Sequence, residues 1–140
     1  MQKSFLTLFT VLLVGTATIF TSCKKDKEAS TQEKLVGKWT LDAAYLNFHF
    51  LGVNEKDTLA GDGTDYIQIN RDGTVSGSGD SQVGVGTWKL VDNKLIIKEN
   101  GEQNPEIDYD IKKLTSSELQ LYSKQVEGED FVEITMFLKK

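Results

Sequence analysis

The chain has 140 residues, with 16 Lys and Arg against 21 Asp and Glu, and a formal net charge of -5. An acidic chain lacks the positive field on which nucleic-acid binding rests. One His and one Cys cannot furnish the usual ligands of a zinc site, and the length suits one domain.

Lys3 opens a segment that carries no charge from Ser4 to Phe20 and is mostly Leu, Val, Phe, Ile, Ala and Thr. A short positive start followed by an apolar run is the pattern of a secretory signal. The run is shorter and more abruptly ended than a membrane span of about 20 apolar residues. It stops at Phe20-Thr21-Ser22-Cys23, and Lys24-Lys25-Asp26-Lys27-Glu28 follow at once. Small residues before a Cys, then a polar stretch, resemble a bacterial lipoprotein lipobox. The resemblance implies cleavage before Cys23, lipidation of Cys23, attachment to a membrane through that lipid, and a place in the cell envelope at the outer membrane. Lys25-Asp26 after the Cys also resembles the surface-export signals of Bacteroidota lipoproteins. The expected organisation is a signal peptide over 1–22, a lipidated and flexible tether over 23–33, and a domain over 34–140.

Ser30 to Glu33 matches a capping box, and Gly37 can end a helix, so the domain starts with a single helical turn from about Thr31 to Val36. Beyond Gly37 the chain alternates apolar and polar residues between turn signals, which is the signature of strands. Lys38–Phe50 is the first. Trp39 and Leu41 have one parity while Leu46, Phe48 and Phe50 have the other, so a bulge near Ala43-Ala44 is expected to bring both sets to one face. Leu51–Thr64 reads as the longest loop. Asp65–Asn70 is the second strand, and Arg71-Asp72-Gly73 is a turn. Thr74–Gly79 and Val83–Val91 follow, with Gly77, Gly79, Gly84 and Gly86 suiting a sharply coiled corner. Asp92-Asn93 turns into Lys94–Lys98. Glu99–Pro105 is a loop. Glu106–Leu114, Glu118–Ser123 and Asp130–Lys139 complete the set, with Val132, Ile134, Met136 and Leu138 in phase on the last. Eight short strands with tight consecutive turns point to an all-β fold, an eight-stranded antiparallel up-and-down barrel. A barrel of that size has room for packed side chains or one small ligand.

Gly37-Lys38-Trp39 opens the first strand after one helical turn, which resembles the lipocalin start motif. A strand into Asp72-Gly73-Thr74, then Gly86-Thr87-Trp88-Lys89-Leu90, a two-residue turn and Leu95-Ile96-Ile97 are similar to lipocalin-like domains of bacterial lipoproteins. The resemblance runs from about Leu35 to Lys140. It implies that Trp39 plugs the closed end of the barrel. In lipocalins an Arg near the last strand packs over that Trp. The one Arg here, Arg71, lies in a turn, and Lys139 or Lys140 could stand in as the cation. Trp39 and Trp88 read as core packing rather than as ligand contacts.

The function that follows is a lipid-anchored binding protein for a small apolar or amphipathic molecule, in a cavity lined by Leu41, Phe48, Phe50, Tyr66, Ile69, Leu95, Tyr109 and Leu121. The alternative is a protein-binding, inhibitor or accessory module with a packed core. An enzyme is not expected. Asp108 and Asp110 alternate on one exposed face with no pocket beside them, and His49 between Phe48 and Phe50 suits a structural role. Asp62, Asp65, Asp72 and Asp80 lie in glycine-rich turns without the spacing of a calcium loop. No phosphate loop or nucleophile motif is present, and no cofactor is implied.

Overall fold

A computed structural model of the chain describes residues 22–79 and 82–140. The apolar leader of the signal reading therefore lies outside the described residues. Helix α1 runs over Ser22–Leu35 and is longer than the single turn expected. Its sequence SCKKDKEASTQEKL is dense in Lys, Glu, Gln and Ala, which lose little side-chain freedom in a helix. Leu35, its last residue, is fully buried and ties the helix to the barrel. Among the described residues no helix is long and apolar enough to cross a membrane.

Nine strands follow: β1 (Gly37–Phe50), β2 (Val53–Ala60), β3 (Tyr66–Ile69), β4 (Thr74–Gly79), β5 (Gln82–Val91), β6 (Lys94–Glu99), β7 (Glu106–Leu114), β8 (Glu118–Glu127) and β9 (Asp130–Lys139). All are antiparallel to their neighbours, in the order β2-β1-β3-β4-β5-β6-β7-β8-β9, and β9 pairs back onto β1. β2 and β3 lie in series on the same edge of β1: Ala43 to Phe50 face β2, and Gly37 to Thr40 face β3. The two are one strand broken at 61–65, so eight strand positions close the barrel.

β2 corrects the long loop expected over Leu51–Thr64. Leu51 and Gly52 both have positive φ, 50° and 81°, which makes a tight two-residue hairpin turn. Every residue of β2 is exposed. No buried face disciplines its sequence, so the alternation that marks a strand is absent. At the break, the Gly61 N–H donates to the Asp42 carbonyl and the Leu41 N–H donates to the Asp65 carbonyl, both at 2.9 Å. A Cβ on Gly61 would run into the Leu41 backbone, so the chain can pass this close to β1 only as glycine.

The expected bulge in β1 is present, one residue earlier than placed. The β1–β9 register shifts between Leu41 and Ala43. This single extra residue turns Ala44, Leu46, Phe48 and Phe50 to the same side as Trp39 and Leu41. On β9 it leaves Leu138, Met136, Ile134 and Val132 inward, and sends Phe131 and Phe137 outward, where they pack on His49 and Tyr45. The β4–β5 glycines serve a close approach: a Cβ on Gly86 would collide with the Lys98 carbonyl of β6. Asp92 and Asn93, both at positive φ, make the two-residue turn between β5 and β6.

The core is packed at the end of the barrel that receives α1. Leu35, Trp39, Ile69, Leu95, Leu119 and Leu121 are fully buried or nearly so, with Val75, Trp88, Ile111 and Leu138 around them. Burying side chains of this size stabilises the fold by about 1.5–3 kcal/mol each.

Candidate functional site

The closed end is sealed by Trp39. Its ring is fully buried, and its indole N–H donates to the Leu35 carbonyl at 2.7 Å. Lys140 lies beneath it, with Nζ 4.3 Å from the ring centroid. The same ammonium donates to the carbonyls of Val36 at 2.7 Å and Lys34 at 2.9 Å. The last residue of the chain thus supplies the cation over the Trp and ties the end of α1 to the end of β9. Loss of water around it lowers the Lys140 pKa below the usual lysine value. Trp88, the other indole, donates to the Asn70 carbonyl at 2.7 Å.

The eight residues expected to line one cavity separate into three groups. Ile69, Leu95 and Leu121 are fully buried, and Leu41 and Tyr109 pack against them. These five fill the closed half. Burial, and then the negative charge of Glu99, push the Tyr109 hydroxyl above its usual pKa. Phe48 and Phe50 point inward from the far half of β1, where Phe50 is 60% exposed. Tyr66 does not join either group. It lies opposite Thr40 in a register that puts Ile67 inside with Trp39, and the Lys38 ammonium sits over its outer ring at 4.2 Å. Tyr66 therefore faces solvent.

The other end of the barrel carries the turns at 51–52, 100–105 and 128–129. Here the inner wall formed by β2, β1, β9 and β8 stays open to solvent. The register sets its rows side by side: Leu59, Ala44, Met136 and Leu121; then Asp57, Leu46, Ile134 and Ser123; then Glu55, Phe48, Val132 and Gln125. An apolar strip, Leu46, Phe48, Ile134 and Val132, runs up the middle, and Val132 is 50% exposed. Carboxylates border the strip on β2, and a hydroxyl and an amide border it on β8.

The wall is also incomplete beside β8. β7 and β8 pair only from Asp110–Tyr122 downward, although β7 begins at Glu106 and β8 continues to Glu127. An open groove of about 400 Å³ lies there, lined by Pro105, Glu106, Asp108, Asp110, Lys94, Tyr122, Ser123, Lys124 and Gln125. Ser123 is 5% exposed. Among the described residues no buried side-chain polar atom lacks a hydrogen-bond partner.

The remaining chemistry-bearing residues face outward. Asp108 and Asp110 flank the Lys94 ammonium, each at 3.7 Å, and the Lys112 amine beside Asp110 holds its carboxyl below the usual value. Glu133 accepts from Lys124 at 3.0 Å, Asn47 at 2.7 Å and Tyr122 at 3.1 Å, and its pKa is lowered for those reasons. His49 stacks on Phe131, with ring centroids 5.8 Å apart, and its Nδ1 lies 3.0 Å from the Glu129 carbonyl. Asp62 and Asp72 each accept from a Thr two residues on. Asp80 and the Cys23 side chain lie outside the described residues. Among those described, no three His, Cys, Asp or Glu side chains are grouped to hold a metal ion.

The strip residues Leu46, Val132 and Ile134, and Ser123 beside them, were not singled out for the site from the sequence. The alternation of β9 and the phase of Leu46 with Phe48 were both legible. Their sharing one wall depended on the bulge and the register.

A family model described as "Lipocalin-like domain" matches residues 35–121, more than half of the chain. No protein of curated description matches the sequence. Among solved structures, the bovine lipocalin allergen Bos d 2 is similar at 14% identity and a TM-score of 0.44, over 78% of this chain and 74% of that one. The Gly-x-Trp strand opening and strands β1 to β7 lie within the matched span, and the chain belongs to the lipocalin-like domain family.

Proposed function

We propose that this chain is a lipid-anchored protein of the cell envelope, held to the outer membrane through Cys23, whose barrel binds a small apolar or amphipathic molecule in its open half. The observation that carries the ligand reading is the inward apolar strip of Leu46, Phe48, Val132 and Ile134. A soluble barrel that has filled its closed half gains nothing from large apolar side chains left half in water, and such patches mark binding surfaces. The anchor reading rests on the apolar leader and on Cys23 at its end.

Native mass spectrometry of Lys24–Lys140, released gently from its own envelope, tests the ligand. A stoichiometric extra mass that is lost on denaturation is expected. A clean apo mass after incubation with envelope lipid extract would count against a cargo. Fatty-acid labelling in cells tests the anchor: label should enter the chain and vanish in Cys23→Ser.

A second reading, a protein-binding or accessory module, draws on the free edge of β2, which pairs with β1 alone, and on exposed Tyr45, Leu59 and Val126. A free strand edge is a template for another chain. A pull-down with the intact lipoprotein that returns no stable partner would count against it.

A further inference from the structure

The barrel wall is open at its side as well as at its end. β7 and β8 pair from Asp110–Tyr122 downward, and above that level the two strands run on to Glu106 and Glu127 with no ladder between them. Two features of β7 account for the parting. The β7–β8 register shifts between Ile111 and Lys113, and a bulge of this kind bends a strand and interrupts its pairing. Pro105 stands at the head of β7 and has no N–H with which to continue a ladder.

The groove of about 400 Å³ between the parted strands joins inside to outside, because side chains of both parities line it. Ser123 lies opposite Ile134 and Gln125 opposite Val132, on the inner face. Tyr122 and Lys124 alternate with them and face outward, as do Asp108 and Asp110. The rows of the apolar strip lead to this edge: Leu46, Ile134 and Ser123, then Phe48, Val132 and Gln125.

The charges around the groove are already compensated. Lys94 lies 3.7 Å from both Asp108 and Asp110, and Lys112 lies 3.0 Å from Asp110. Lys124 lies 3.0 Å from Glu133, and Lys89 lies 3.1 Å from Glu106. An ionic group placed here loses water and finds each opposite charge already engaged. The lining instead offers donors and acceptors side by side: the Ser123 hydroxyl, the Gln125 amide and ammonium and carboxylate groups held in pairs. Ligand hydroxyls both donate and accept, so they match such a lining, where a lone cation or anion matches half of it.

Resting on the ligand reading above, we infer that the side groove holds the polar head of the cargo, and that this head is an uncharged, hydroxyl-rich group such as a sugar. The apolar chain lies along Leu46, Phe48, Ile134 and Val132. It passes the inner side of β8 at Ser123 and Gln125, and the head emerges between β7 and β8 rather than at the turns of the open end.

Decyl maltoside below its micelle concentration is the probe, added to the full chain in nanodiscs, with empty nanodiscs as the reference. A form with a diazirine on the sugar should label 106–110 and 122–125. Label confined to 51–55 and 128–131 would put the head at the open end and overturn the inference while leaving the ligand reading in place. Calorimetry gives a second readout. On the Asp110–Tyr122 register continued upward, Asp108 faces Lys124, so Asp108→Cys with Lys124→Cys, bridged by a short bismaleimide, closes the groove. The wild-type chain treated alike controls for Cys23. Relative to the unbridged double variant, bridging should weaken decyl maltoside about tenfold and leave 1-decanol, which has no such head, unchanged. Equal effects on the two ligands would overturn the head site. Decylamine or decanoate binding as tightly as decyl maltoside would overturn its preference for an uncharged head. Binding of none of these probes above empty nanodiscs would overturn both the inference and the ligand reading.

Discussion

Asp72 and Asp62 show how much a single turn residue settles. Asp72 accepts the Thr74 N–H at 2.9 Å and its hydroxyl at 2.6 Å, and Asp62 does the same for Thr64 at 2.8 and 2.6 Å. The threonine hydroxyl first, and then the backbone N–H, favour the charged carboxylate and lower both pKa values below 3.8. A carboxylate with a depressed folded pKa contributes stability that is present above its unfolded value. That contribution is lost as pH falls through the folded value, because the unfolded chain takes up the proton first. The double variant Asp62→Asn, Asp72→Asn should therefore show a shallower loss of stability as pH falls below about 4, read as the urea midpoint against pH. An identical acid limb would show that these turns do not couple to folding. In the sequence, Asp-Gly marked the turn at 72–73. The same dipeptide chemistry explains why the aspartates are turn residues rather than calcium ligands.

At the scale of the element, β2 and β9 stand at opposite extremes. β9 alternates Val132, Ile134, Met136 and Leu138 against a second face carrying Phe131 and Phe137, so its period was readable while its inward side was settled by pairing with β1. β2 has the composition of a solvated segment, VNEKDTLA, and lies at an open edge. It is a strand because the turn at Leu51-Gly52 returns the chain along β1, and backbone pairing does the rest. Such an element belongs to the low-stability end of the molecule. Amide hydrogen exchange of β2 should be much faster than that of β8, which pairs on both sides over its first half and carries buried Leu119 and Leu121. Equal protection of the two would mean that something covers the β2 edge in solution. The helix α1 is the converse case. Its formers are good locally, the described ties to the barrel gather at its last two residues, Lys34 and Leu35, and the capping box at Ser30 marks no boundary once the helix starts at Ser22.

The whole molecule divides into a sealed end and an open end, and the division has an energetic consequence. Leu121→Ala at the sealed end leaves a cavity in packed surroundings and should cost about 2–5 kcal/mol. Val132→Ala on the open wall, where the side chain is already half in water, should cost under about 1 kcal/mol. Urea unfolding of the two variants checks the contrast, and comparable losses would mean that the upper half is packed in solution. Legible along the chain is whatever depends on sequence neighbours: eight strand positions and most turns, while the Trp39 plug and a lysine beneath it came from the lipocalin resemblance. The strands and turns rest on local alternation, on φ preferences and on the tight turns that keep successive strands adjacent. What only the tertiary structure decided is which way each side chain points once strands pair. The pairing of β3 with β1 sets Tyr66 opposite Thr40 and so outside. Pairing likewise sets Glu55, Asp57 and Ser123 around one wall. With a side-chain period of two, a single residue of register exchanges inside for outside, and no local pattern carries that information.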